Sequence, residues 1–305
     1  MKRMTSISVL LVLMLSLAAC GSGEKSDHTP DSATKDSAAN EKTSDNSDSP
    51  TKDNKKEEPA GSNKNNETDS SVSAADPMDL SQYYVSEQPV EKEIDKSQFV
   101  WKQGSVTLKA SLSKSEGVQV VSSASIDKGD QHFDLKLDPK PSGISSVALS
   151  ADESYIAIEG TYHLEIPRTF IVDLKDGTFT SLVDPLKKNN VKQADITTSF
   201  AWSPQGNSLA FAYGGDSSLW ISIYDLDQKK FTYVPAEKDF TGYISISYIL
   251  WGKDGQSVSY ISEYPSDQMK LYRYRFANSS VTKVKDLTRE EFDKFQKFSP
   301  YILNH

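Results

Sequence analysis

Phe200-Ala201-Trp202-Ser203-Pro204-Gln205-Gly206-Asn207-Ser208-Leu209-Ala210-Phe211 decides how this chain is read, because the pattern occurs three times. An earlier copy is Val147-Ala148-Leu149-Ser150-Ala151-Asp152-Glu153-Ser154-Tyr155-Ile156-Ala157-Ile158. A later one is Ile249-Leu250-Trp251-Gly252-Lys253-Asp254-Gly255-Gln256-Ser257-Val258-Ser259-Tyr260. The copies align without a gap at a spacing of about 50 residues, and internal repetition on that scale outranks other signals. Each copy reads as a strand, a polar turn and a second strand. The turns hold Asp152-Glu153, Gln205-Gly206 and Asp254-Gly255, residue types that tolerate hairpin geometry.

A further strand pair follows each copy at a constant offset. It reads Phe170-Ile171-Val172-Asp173-Leu174 and Phe179-Thr180 after the first. After the second it is Ile221-Ser222-Ile223-Tyr224-Asp225-Leu226 and Phe231-Thr232. After the third it is Leu271-Tyr272-Arg273-Tyr274-Arg275-Phe276 and Val281-Thr282. Four strands per unit make one β-propeller blade. The Trp-Ser-Pro-x-Gly element at Trp202 to Gly206, with Leu209-Ala210-Phe211 and Tyr224-Asp225-Leu226 behind it, is similar to the repeats of TolB-type β-propellers. The other copies depart from it: Ala151 and Lys253 stand at the proline position, and Gly252 at the serine position. The resemblance bears on architecture and leaves function open.

A degenerate fourth unit is expected upstream. Phe99-Val100-Trp101 resembles Ile249-Leu250-Trp251, and Ser105-Val106-Thr107-Leu108 resembles Ser257-Val258-Ser259-Tyr260. Phe133-Asp134-Leu135-Lys136-Leu137 alternates as a strand does. The expected fold is therefore all-β and propeller-like, with about four blades. A partial ring and a β-sandwich of repeated hairpins stand as alternatives. Near the end, Thr288 with Glu291 three residues on forms a capping box for a short helix. Its Phe292, Phe295 and Phe298 make an apolar stripe suited to packing on the β-domain.

The first 76 residues are of another kind. Met1-Lys2-Arg3 precedes an apolar run over residues 7–17, and then Leu17-Ala18-Ala19-Cys20-Gly21. Basic, then apolar, then small is the order of a signal peptide. The run is about half the length that a membrane-spanning helix needs, roughly 20 residues. The stretch around Cys20 resembles the lipobox of bacterial lipoproteins. That resemblance implies cleavage before Cys20 and lipidation of its sulfur. Cys20 is the only cysteine in the chain, so no internal disulfide is expected. Residues 21–76 are rich in Ser, Asp, Lys, Asn and Glu, with no aromatic residue before Tyr83. Such a composition does not offset its ordering entropy, and a disordered spacer is expected. About 55 residues of flexible coil span on the order of 40 Å, or roughly 180 Å if drawn straight. The expected organisation is a signal peptide at 1–19, a lipidated cysteine and linker at 20–76, and the propeller-like domain at 77–305.

Residues with chemistry are sparse. The four histidines are His28, His132, His163 and His305. His132 lies among Asp127, Asp130 and Asp134, but without the order of a calcium loop or the spacing of a zinc site. A polar hairpin is the simpler reading. No Gly-x-Ser-x-Gly elbow, phosphate loop or dinucleotide fingerprint occurs. A hydrolase domain of the kind that follows some propellers of this repeat type is not expected here. Gly214-Gly215-Asp216-Ser217 reads as a turn. Glu159, Glu165 and Glu263 lie near strand ends, and only paired carboxylates would support glycoside chemistry. Tyr243, Tyr248, Trp251, Tyr260, Tyr264, Tyr272 and Tyr274 suit core packing better than ligand stacking.

No catalytic residue, metal ligand or cofactor is expected from this reading, and Cys20 is the one assigned site. The net charge of −9 argues against nucleic acid as a partner. The expected function is a non-enzymatic binding or scaffold module, held at the outer face of the cell membrane by its lipid, for a protein or envelope component. The alternative is an envelope enzyme acting on a polysaccharide or peptide. A solute-binding lipoprotein would need two α/β lobes, which the strand-rich repeat disfavours.

Overall fold

A computed structural model of the chain describes residues 76, 78–115, 117–162, 166–215, 217–236 and 241–298. Cys20, the apolar run and the spacer, along with His163, Glu165 and Asp216, lie outside the described residues. Among the described residues seventeen strands form four antiparallel sheets, and every sheet is built of sequence neighbours. The first holds β1 (Val90–Ile94), β2 (Gln98–Gln103), β3 (Val106–Ser115), β4 (Val118–Lys128) and β5 (Gln131–Leu135). The second holds β6 (Gly143–Leu149), β7 (Tyr155–Thr161), β8 (Pro167–Asp173) and β9 (Phe179–Ser181). The third holds β10 (Ile196–Trp202), β11 (Ser208–Gly215), β12 (Ser218–Asp225) and β13 (Lys230–Tyr233). The fourth holds β14 (Ser245–Trp251), β15 (Ser257–Glu263), β16 (Met269–Arg275) and β17 (Ser280–Asp286). The fold is all-β and propeller-like. The three repeat copies are the first two strands of the second, third and fourth sheets.

The turn inside each copy bends in the same way. Glu153, Gly206 and Gly255 occupy equivalent positions and all take positive φ, at 58°, 70° and 69°. Glycine enters that region freely. Glutamate does not, and Glu153 is held there from outside. Its carboxylate accepts hydrogen bonds from Gln88 at 2.8 Å and from Ser105, and its carbonyl accepts one from Lys128 at 2.6 Å. Each first strand also carries a bulge, at residues 145, 199 and 247.

Adjacent sheets pack face to face. Phe99, Trp101, Leu108 and Ile126 of the first sheet cluster with Val147, Leu149, Ile156 and Val172 of the second. The opposite face of the second sheet, Ala148, Ala157 and Ile171, joins a cluster running through Trp202, Leu209 and Phe211 to Ile249, Trp251 and Tyr260. The third sheet is apolar on both faces: Leu209, Ala210, Phe211 and Ala212 in succession are all fully buried. Two indoles repeat one tie. Trp202 Nε1 donates to the Ala148 carbonyl at 3.0 Å, and Trp251 Nε1 to the Ala201 carbonyl at 2.9 Å. Each links a sheet to the one before it.

The ends of the stack are finished differently. The outer face of the fourth sheet, with Tyr248, Leu250, Ile261 and Leu271, is covered by Tyr83 and by α2 (Arg289–Phe298) through Phe292, Phe295 and Phe298. The expected capping box is present: Thr288 N donates to Glu291 at 3.0 Å, and Glu291 N to Thr288 at 3.3 Å. The outer face of the first sheet is polar, carrying Lys109, Asp127, His132 and Asp134. Among the described residues no hydrophobic cluster joins the first sheet to the fourth. A strap crosses instead. Tyr83 pairs with Gly252, Tyr84 N donates to the Trp251 carbonyl at 2.8 Å, and Gln88 reaches Glu153 before the chain enters β1.

Three features differ from the sequence reading. The first sheet has an additional strand, β1. A six-residue helix, α1 (Val183–Lys188), lies between β9 and β10 and buries Val183 and Leu186. Trp101 is not the counterpart of Trp251, because its side chain faces the following sheet. Its Nε1 is buried with no acceptor among the described residues. Trp202→Phe is therefore expected to cost about 0.5–1.5 kcal/mol more than Trp101→Phe, since only the former removes a buried hydrogen bond. Urea unfolding of the two variants checks this, and equal costs would refute the tie.

Candidate binding surfaces

Glu159 is the most buried carboxylate that the sequence singles out, at 7% exposure. It stands in β7 and reaches across to the third sheet. Its Oε1 accepts from Ser145 at 2.6 Å, and its Oε2 accepts from Thr198 Oγ1 at 2.8 Å and Ser199 N at 3.0 Å. The bulge at Ser199, with φ of 43°, turns that amide toward the carboxylate. Ser199 Oγ then donates to the Ile246 carbonyl in the fourth sheet at 2.7 Å. Glu159 is thus one link in a polar chain across three sheets. Glu263 belongs to its own hairpin, accepting from Asp267 N at 2.8 Å and Ser245 Oγ at 3.2 Å. Among the described residues Glu159 and Glu263 share no hydrogen-bond partner, and Glu165 lies outside those residues.

A second polar tie sits at the opposite end of the strands. Asn207 Nδ2 donates to Asp152 at 3.1 Å and to Asp227 at 3.2 Å. It joins the first turns of the second and third sheets to the turn after β12. Asp152 also accepts from Ser150 and from both Ser154 donors, which offset its burial and hold it below the usual carboxylate range. Beside this tie a cleft of about 400 Å³ opens along the second sheet, lined by Tyr155, Asp173 and Lys175, by Asp227 after β12 and by Lys128 of the first sheet. The equivalent cleft between the third and fourth sheets, about 340 Å³, is lined by Gln205, Asp225, Lys230, Trp251 and Phe276. A third, of about 420 Å³, lies between the first and second sheets and is more apolar. Ile94, Phe99, Leu112, Val118 and Ile144 line it, and Ile94 and Val118 are exposed.

The aromatic residues of the third copy pack inward. Tyr243, Tyr248, Trp251, Tyr260, Tyr272 and Tyr274 are buried, and Tyr264 is exposed. Tyr260 stacks on Tyr272 at 5.5 Å, and the Tyr243 and Tyr260 hydroxyls share a hydrogen bond at 2.7 Å.

His132 lies on the outer face of the first sheet between two carboxylates. Its Nδ1 is 2.6 Å from Asp127 and its Nε2 is 3.3 Å from Asp134, while Lys109 also binds Asp127 at 2.8 Å. Among the described residues no three His, Cys, Asp or Glu side chains are placed to hold a metal ion. No described helix is long and apolar enough to cross a membrane.

No protein-family model matches the chain, and no curated protein matches it. Solved structures do. The chain is similar to TolB from Acinetobacter baumannii at 21% identity and a TM-score of 0.36, over 53% of this chain and 37% of that one. It is similar to the tricorn protease at 10% identity and a TM-score of 0.40, over 64% and 22% of the two chains. It is also similar to an oligogalacturonate lyase in complex with manganese at 12% identity and a TM-score of 0.37, over 63% of each. The chain spans less than two thirds of each of these proteins. At TM-scores of 0.40 and below they carry no argument about its activity.

The acidic neighbours of His132 make one pH dependence predictable. The hydrogen bond to Asp127, then that to Asp134, raises the imidazole above its ordinary 6.5. Lys109 and then His132 hold Asp127 below its own ordinary value. The stability due to His132 is therefore fully present below about 6.5 and is lost as pH rises through the raised folded value. That due to Asp127 is present above its unfolded value and lost as pH falls through the lowered one. An NMR titration of the His132 ring protons is expected to give a midpoint above 6.5 that returns toward it in Asp127→Asn. A midpoint unchanged by that substitution would exclude the pairing in solution.

Proposed function

We propose that this chain is an extracytoplasmic lipoprotein, anchored through lipid on Cys20, whose propeller-like domain binds a protein or envelope component without catalysing a reaction. One observation carries the anchor: the lone cysteine directly follows Leu17-Ala18-Ala19, behind a basic start and a short apolar run. The binding role is supported by how the polar residues are spent. Glu159, Glu153, Asp152 and Asn207 are engaged in ties between sheets. What the domain offers to a partner is its surfaces: three clefts, one of them apolar.

A second reading, an envelope enzyme acting on a polysaccharide or peptide, has one observation in its favour. Asp173 and Asp227 line the same cleft beside Tyr155. Turnover of cell-wall fragments or peptides by the purified chain, lost in Asp227→Asn, would replace the binding reading with this one.

The native chain is expected in the detergent phase of a Triton X-114 partition, with a mass showing cleavage before residue 20 and added acyl groups. Cys20→Ala is expected in the aqueous phase or unprocessed. Crosslinking and recovery of the two forms then tests the role. A partner held only by the anchored form supports a membrane-proximal scaffold. Identical partitioning of both forms sinks the anchor.

A further inference from the structure

Tyr162 and Arg168 flank the hairpin between β7 and β8. The Tyr162 amide donates to the Ile166 carbonyl at 3.0 Å and closes it. Arg168 is directly opposite Gly160 in the ladder, so Tyr162 and Arg168 are diagonal neighbours on one face. With no side chain at Gly160, the Arg168 guanidinium lies over the Tyr162 ring, 5.5 Å from its centroid. The ring is braced from behind, Tyr162 against Phe170 at 6.2 Å and Phe170 against Phe179 at 4.7 Å.

Two buried donors here have no hydrogen-bond partner among the described residues. Tyr162 is 8% exposed, yet its hydroxyl makes no hydrogen bond, and the buried Nε of Arg168 makes none either. Among the described residues no carboxylate stands within ion-pair distance of Arg168. Arg273, by contrast, donates to Gln82, Tyr83 and Ser259, and Arg289 pairs with Asp293. A buried donor without an acceptor costs about 1–3 kcal/mol, and a bound water or ion is one way a folded protein meets it. Both groups donate. One is a permanent cation with a planar fork suited to carboxylate and phosphate. Burial holds the Tyr162 phenol at about 12, so the hydroxyl keeps its proton at neutral pH.

We propose that Arg168 and Tyr162 form a receptor for an anionic oxygen group, a carboxylate or a phosphate, which the guanidinium binds by charge and to which the phenol hydroxyl donates. The site lies on the second sheet and does not depend on the anchor, so its test and the anchoring test fail separately.

Thermal unfolding of the full chain in detergent is compared in chloride, acetate and inorganic phosphate at equal ionic strength. Acetate or phosphate is expected to raise the midpoint by about 2–4 °C in a saturable way. The anion with the larger effect names the class. Arg168→Leu is expected to abolish the rise. If that variant does not fold, Arg168→Lys, which keeps the charge and loses the fork, is expected to weaken the response several-fold. In chloride, Tyr162→Phe is expected to be at least as stable as the native chain, because it removes a hydroxyl that has no partner. Equal midpoints in all three salts overturn the proposal, as does a rise that Arg168→Leu preserves. A Tyr162→Phe variant less stable than the native chain in chloride also overturns it, since the hydroxyl is then already bonded within the protein or to water. A response seen only in Glu165→Gln does the same, since the chain then fills the site itself.

Discussion

A β-sheet that is apolar on both faces cannot stand alone in water, and the third sheet is of that kind. With Leu209, Ala210, Phe211 and Ala212 all fully buried, both of its faces must be covered by other sheets. The hydrophobic effect supplies the attraction but no registration. Registration comes from directional contacts set into the apolar interfaces. The Trp202 and Trp251 indoles each take a carbonyl of the sheet before. Glu159 and Ser199 carry a polar chain from the second sheet to the fourth. These bonds lie in low-dielectric surroundings, where an unmade bond is costly, and so a single arrangement is preferred.

A stack of this sort must still stop. A closed ring would let the last sheet cover the first. Here the two ends are finished by separate means: the first sheet has a polar outer face, and the fourth is covered by a helix and a strap. The same economy bears on function. Glu159, which looks chemical in the sequence, serves a joint between sheets, and the clefts open where the joints leave room. Arg168 and Tyr162 stand apart from this pattern, because no joint uses them.

Much of this architecture is legible in the sequence. Three ungapped copies reveal the hairpins, the constant offset to the next strand pair reveals the sheets, and Thr288 with Glu291 reveals the final helix. What is not legible depends on distant residues. Alternation at Phe99, Trp101 and Gln103 identifies a buried face but not the neighbour that buries it, so Trp101 resembles Trp251 in spelling and not in direction. Helix α1 is six residues long, too short for periodicity to show. Glu159 reads as a lone acid near a strand end, since the groups that claim it are about 40 residues further on. Tyr162 and Arg168 carry no local signal at all, because a missing acceptor leaves no mark in the sequence.

The strap has a kinetic consequence. Every sheet is made of hairpins between sequence neighbours, contacts that close short loops and form early. Gln82 and Arg273, which hold the strap to the fourth sheet, are 191 residues apart. Their meeting closes one of the longest loops in the chain, and its entropy is recovered only once the sheets between them are in place. The strap is therefore expected to dock after the stack and to open before it. In the folded chain such openings should show as hydrogen exchange at the Tyr84 amide faster than in β11. Equal protection at the two places would mean that strap and stack fold as one unit.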